Sequence, residues 1–96
     1  MKKEIWKFNT LLGELKYFTI KMPAGAELLT VQVDQKDNTP CIWALLDPQA
    51  KEEERYFELY GTGHEIYYDM GIERKYIGTY QYDNGNFVGH IFERLN

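Results

Sequence analysis

Apolar side chains recur at every second position over short stretches of this chain, and turn-forming residues separate the stretches. Residues 3–9 put Trp6 and Phe8 on one face, and residues 15–22 put Phe18, Ile20 and Met22 on one face, with Leu11-Leu12-Gly13 between them. This predicts a first hairpin or two successive edge strands. Met22-Pro23-Ala24-Gly25-Ala26 has the chemistry of a tight reversal. Over residues 28–34, Leu29, Val31 and Val33 alternate with Thr30, Gln32 and Asp34, as in a strand with one wet face. Asp37-Asn38-Thr39-Pro40 then turns the chain. Residues 40–46 are apolar on both faces, which marks a central strand with Trp43 expected in the middle of the core, and Asp47-Pro48 ends it.

The run Gln49-Ala50-Lys51-Glu52-Glu53-Glu54 has no apolar face and is expected as a solvated loop or one helical turn. Residues 55–60 resume strand character, Gly61-Thr62-Gly63 makes a turn, and residues 64–68 are a candidate continuation of the strand. Asp69-Met70-Gly71 breaks it. Residues 74–82 and 87–94 flank Asp83-Asn84-Gly85-Asn86, and Asn-Gly between alternating runs is the strongest short-range hairpin signal. The expected fold is all-β: one domain over residues 1–96, a small barrel or a two-layer antiparallel β-sandwich of about seven or eight short strands.

Composition narrows the function classes. Eleven basic against fifteen acidic residues leave a net charge of −4, which opposes attraction to long nucleic acid. The single cysteine, Cys41, cannot close an internal disulfide and sits in an apolar run, so a buried reduced thiol in the cytoplasm is expected. No run has the roughly 18 apolar residues of a membrane span, and no signal-peptide core follows the N-terminus.

Catalytic motifs are sparse. His64 and His90 are the only histidines, and their spacing from Glu65, Asp69 and Glu93 matches no metal or acid–base motif. The chain contains no serine, and Thr62 or Thr79 would substitute poorly in a triad without a positioned base. Gly61-Thr62-Gly63 lacks the continuation of a phosphate-binding P-loop. No enzyme activity, metal or cofactor is expected.

Eight tyrosines, five phenylalanines and two tryptophans are a heavy aromatic load for 96 residues. Most of it packs strands against one another. Tyr76, Tyr80 and Tyr82 are nevertheless expected on one strand face with Gly78, and Tyr56 with Tyr60 on another. The expected ligand pocket lies near Gly61, Thr62, Gly63 and His64, lined by Tyr60, Arg74 and Tyr80. There the glycines would admit an anion to backbone amides, Arg74 would add a charge-assisted bond, and a tyrosine ring would stack on a base.

The segments Met22-Pro23-Ala24-Gly25-Ala26, Leu29-Thr30-Val31-Gln32, Pro40-Cys41-Ile42-Trp43-Ala44-Leu45-Leu46-Asp47-Pro48, Tyr60-Gly61-Thr62-Gly63-His64-Glu65-Ile66 and Tyr76-Ile77-Gly78-Thr79-Tyr80-Gln81 follow one another in an order that resembles a family of small uncharacterised phage and bacterial proteins. The resemblance implies one small β domain of phage type, placed in the host cytoplasm if phage-encoded, and brings no catalytic residues. The expected function is a non-enzymatic binding protein that sequesters a small ligand, with a nucleotide immune signal as the candidate. The alternative is an inhibitor or accessory factor that covers a host protein with an acidic, tyrosine-rich face. A homo-oligomer is expected through the strand at residues 76–82.

Overall fold

Alternation and turn chemistry produce seven strands among the described residues, 1–10 and 16–96, of a computed structural model. They are β1 (Glu4–Asn9), β2 (Tyr17–Pro23), β3 (Glu27–Asp34), β4 (Thr39–Leu46), β5 (Glu52–Gly61), β6 (Arg74–Tyr82) and β7 (Phe87–Arg94). All pairing is antiparallel, in a three-stranded sheet β1-β4-β3 and a four-stranded sheet β2-β5-β7-β6. The fold is therefore all-β and open, with no closed barrel. Both sheets contribute to one apolar core, in which Ile42, Ala44 and Leu46 of β4 meet Phe18, Met22, Phe57, Leu59 and Ile91 of the other sheet.

β1 and β2 are successive edge strands in different sheets, so the hairpin alternative does not form. The reason lies just past β1: Thr10 donates both its amide and its hydroxyl to the Pro40 carbonyl, at 3.1 and 2.7 Å, and holds the chain on the start of β4. The turn expected at Leu11-Leu12-Gly13 lies outside the described residues.

Four further expectations change. The acidic residues Glu52, Glu53 and Glu54 are not loop or helix but the first rungs of β5, with Glu54 opposite Lys21 of β2. β7 reaches only as far as Tyr56 on that strand, so these carboxylates stay in water and need no apolar face. Trp43 is half-buried rather than central, because the second sheet covers the opposite face of β4, where Ile42 is fully enclosed. Bulges reverse the alternation at two places. One between Leu28 and Thr30 turns Leu29 out to 43% exposure and gives its core place to Leu28. The other, between Tyr76 and Gly78, separates Tyr76 from Tyr80 and Tyr82. Tyr80 enters the core while Tyr76 is left 54% exposed on the outer face. Lastly, residues 64–68 form no strand.

Two glycines permit close approach where the second bulge matters. A Cβ on Gly78 would lie 3.0 Å from Val31, so the glycine lets β6 meet β3 of the other sheet. Among the described residues β6 remains the edge strand of its sheet, hydrogen-bonded to β7. A Cβ on Gly89 would lie 2.6 Å from Tyr80 Cζ, because the buried ring lies flat across that glycine. At the last hairpin Asn84 and Gly85 both take positive φ, 55° and 85°, closed by the Asn86 amide on the Asp83 carbonyl at 3.0 Å.

Ile42→Ala is expected to cost about 2–5 kcal/mol and Trp43→Ala distinctly less, the reverse of the order that side-chain size suggests. Urea unfolding of the two variants decides between them. Gly85→Val should lose at least about 1–2 kcal/mol through its left-handed backbone, seen as a lower unfolding midpoint.

Candidate functional site

Strand periodicity turns alternate residues of the four-stranded sheet away from the core, and on this sheet the outward set carries the chemistry. β5 supplies Tyr56, Glu58 and Tyr60, β7 supplies His90, Phe92 and Arg94, β6 supplies Arg74, Tyr76 and Thr79, and β2 supplies Tyr17. The register sets Glu58 directly opposite both Tyr17 and Phe92, and Arg94 opposite both Tyr56 and Arg74.

Glu58 is the centre of this face, 1% exposed although it points away from the core. Arg74 Nε donates to one carboxylate oxygen at 2.5 Å, the Tyr60 hydroxyl to the same oxygen at 2.9 Å, and Arg94 Nη1 to the other oxygen at 2.9 Å. Burial by itself would push the Glu58 carboxyl up, but these hydrogen bonds outweigh it and hold the group below the usual carboxylate range. Burial and the same carboxylate push the Tyr60 phenol up to about 12, so it stays a neutral donor. Phe92 packs edge-on against Tyr60 and Tyr76, with ring centroids 6.0 and 5.5 Å apart. The segment 62–73 folds over the Arg74 end: Arg74 Nη1 donates to the Tyr67 carbonyl at 2.7 Å, and its guanidinium carbon lies 4.9 Å from the Tyr68 ring centroid.

Two further features flank this centre. On one side, a cleft of about 470 Å³ opens between the half-exposed rings of Tyr17 and Tyr56, with Arg94, Asn96 and Glu58 along it. Lys16 Nζ stands 5.6 Å from the Tyr17 ring centroid. The volume is within the range of small-molecule sites, and an aromatic-lined cleft with a few polar groups is their usual composition. On the other side, His90 bridges two strands and the turn. Its Nε2 is 2.7 Å from Thr62 Oγ1, its Nδ1 is 2.9 Å from Thr79 Oγ1, and Thr79 Oγ1 is 2.5 Å from the Tyr76 hydroxyl.

These features follow from the whole chain, and one family accounts for its full length. The chain belongs to the DUF7352 family. The match covers residues 1–96, and the family is described as a domain of unknown function. Neither a curated protein nor a solved structure matches the chain.

In this DUF7352 domain the sequence-predicted site residues divide among four places. Tyr60 and Arg74 meet at Glu58, where the Arg74 side chain is 4% exposed and both its charge and its fork are engaged within the protein. Thr62 joins His90. Gly61 and His64 close on each other: the Gly61 amide donates to His64 Nδ1 at 3.1 Å, and the His64 amide donates to the Gly61 carbonyl at 3.1 Å. Gly63 takes φ +89° and completes the turn. Tyr80 lies on the inner face, and its hydroxyl has no hydrogen-bond partner among the described residues. Sequence reasoning passed over Glu58, Arg94, Tyr17 and the His90 bridge. One signal for Glu58 was present, a lone acid inside the apolar stretch Phe57-Glu58-Leu59-Tyr60, which demands a cation from elsewhere in the fold.

Among the described residues, no cluster of three or more His, Cys, Asp or Glu side chains is placed to hold a metal ion. Nor do the described residues contain a helix long and apolar enough to cross a membrane.

Removing the Glu58 carboxylate strands two guanidinium groups, so Glu58→Ala is expected to cost about 3–5 kcal/mol. The pH dependence follows from the lowered pKa. The stabilisation is complete above the ordinary glutamate value of 4.5 and is lost as pH falls through the lower folded value. Acid titrations of unfolding free energy should therefore fall less steeply below that pH in Glu58→Gln than in the parent.

Proposed function

We propose that this chain is a non-enzymatic binding protein that captures a small, flat, anionic ligand in the cleft between Tyr17 and Tyr56. The observation that carries this reading is the pairing of two half-exposed tyrosine rings on adjacent strands with the one-third-exposed Arg94 side chain lining the same cleft. A planar ring stacks on tyrosine for about 1–3 kcal/mol. A phosphate or carboxylate would meet the Arg94 guanidinium, with Lys16 beside Tyr17 adding positive potential. Nucleotides combine both features, and removal of a nucleotide signal from a host cell is the role that the resemblance to phage-type proteins suggests. This site replaces the pocket expected around Arg74, whose guanidinium Glu58 already holds.

A second reading has its own observation. Tyr67, Tyr68 and Met70 are 63%, 67% and 92% exposed on the segment that covers the Arg74 end of the same face. Tyrosine and methionine are enriched in protein interfaces, and this loop also carries Glu65, Asp69 and Glu73, so it would suit a basic protein surface.

Calorimetry with linear and cyclic nucleotides separates the two readings. Capture predicts saturable heat that Tyr17→Ala and Tyr56→Ala each weaken by roughly 5- to 150-fold, the equivalent of about 1–3 kcal/mol. Both rings stand out in solvent, so neither substitution disturbs the core. Absence of heat with every nucleotide removes the capture reading and leaves the protein surface ahead.

A further inference from the structure

The threonines offered no catalytic reading from sequence because no base was positioned beside them, and the fold supplies one. Thr62 is exposed in the turn after β5, and β7 brings His90 Nε2 within 2.7 Å of its hydroxyl. The other ring nitrogen is 2.9 Å from Thr79 Oγ1, which in turn is 2.5 Å from the Tyr76 hydroxyl. Nucleophile, base and orienting group thus stand in the order that activates a hydroxyl in acyl transfer. The four residues lie 3, 11 and 28 positions apart along their links, so nothing local in the sequence announces the arrangement.

We propose that Thr62 is a nucleophile, activated by His90 and oriented through Thr79 and Tyr76, that accepts an acyl group from an activated ester. In the productive tautomer Nε2 is unprotonated and Nδ1–H donates to Thr79 Oγ1, whose own hydroxyl hydrogen points to the Tyr76 oxygen. Thr62 Oγ1 attacks the ester carbonyl carbon. Its proton passes to His90 Nε2, and a carbon–oxygen bond forms. The tetrahedral adduct then collapses, the bond to the leaving alcohol breaks, and His90 returns the proton to that oxygen. The product is an O-acyl threonine and a free alcohol, with no change of oxidation state. His90 is the catalytic base, whereas Thr79 and Tyr76 are positioning residues.

This proposal is independent of ligand capture. Arg94 marks the cleft and His90 the relay, four residues apart on β7, and neither shares a hydrogen bond with the other. Failure of one reading leaves the other intact.

The test uses the intact chain with p-nitrophenyl acetate, following nitrophenol release and mapping the acetylated residue by peptide mass spectrometry. Expected are acetylation at Thr62, loss of that label in Thr62→Ala, and its return in Thr62→Ser. His90→Gln keeps a polar side chain there but no base, and should slow labelling by roughly 10²- to 10⁴-fold at an unchanged thermal midpoint. Thr79→Val should slow it and Thr79→Ser restore it. Acetyl groups found on lysine or tyrosine in place of Thr62 would overturn the proposal, as would His90→Gln labelling Thr62 at the parent rate. Both Thr62 and Thr79 are exposed, and the map of the parent protein decides the outcome even if one variant folds poorly.

Discussion

A buried carboxylate held by two arginines organises the functional side of this molecule. Glu58 sits in the second strand of the four-stranded sheet, and Arg74 and Arg94 reach it from the other two strands on its far side. Ionic groups removed from water need partners for every lone pair, and Tyr60 supplies a further donor. The consequence is geometric as well as energetic. With its guanidinium on Glu58, Arg74 also grips the Tyr67 carbonyl and draws the segment 62–73 down over the sheet.

The same anchoring divides the face into two ends. Arg94 is bound to Glu58 through one nitrogen and remains one-third exposed beside Tyr17 and Tyr56, so the cleft borrows a preorganised cation from the ion cluster. At the other end, the closure of Gly61 on His64 shapes the turn that delivers Thr62 to His90. A comparable pair, Arg55 with Glu93 at 2.5 Å, forms on the other face of the sheet, where Arg55 also donates to the Ala26 carbonyl at 2.6 Å. Two acids inside one sheet are thus satisfied on opposite faces.

Core packing explains why both bulges and glycines fall where they do. Gly78 lets the sheets touch at Val31, and Gly89 provides the floor for the Tyr80 ring. Each removes a side chain where the neighbouring sheet or ring comes too close for one. Burial pushes the Tyr80 phenol up to about 12, as an enclosed hydroxyl with no nearby charge requires.

The sequence by itself determined the all-β class, the extent of most strands, the central place of β4 and the positive-φ turn at Asn84-Gly85. These are local properties: a period of two and residues that tolerate a left-handed backbone declare themselves within a few positions. Only the tertiary structure decided which apolar face of β4 lies inside, so Ile42 rather than Trp43 holds the core. It also decided that the bulge at Ile77 sends Tyr80 inward and leaves Tyr76 outside. The site was the least legible part. Its contacts join Glu58 to Arg74 and Arg94 across 16 and 36 positions, and Thr62 to His90 across 28. Alternation fixes that two residues share a face of one strand, but strand order and register, set by the packing of two sheets on one core, determine which charges and hydroxyls meet across them.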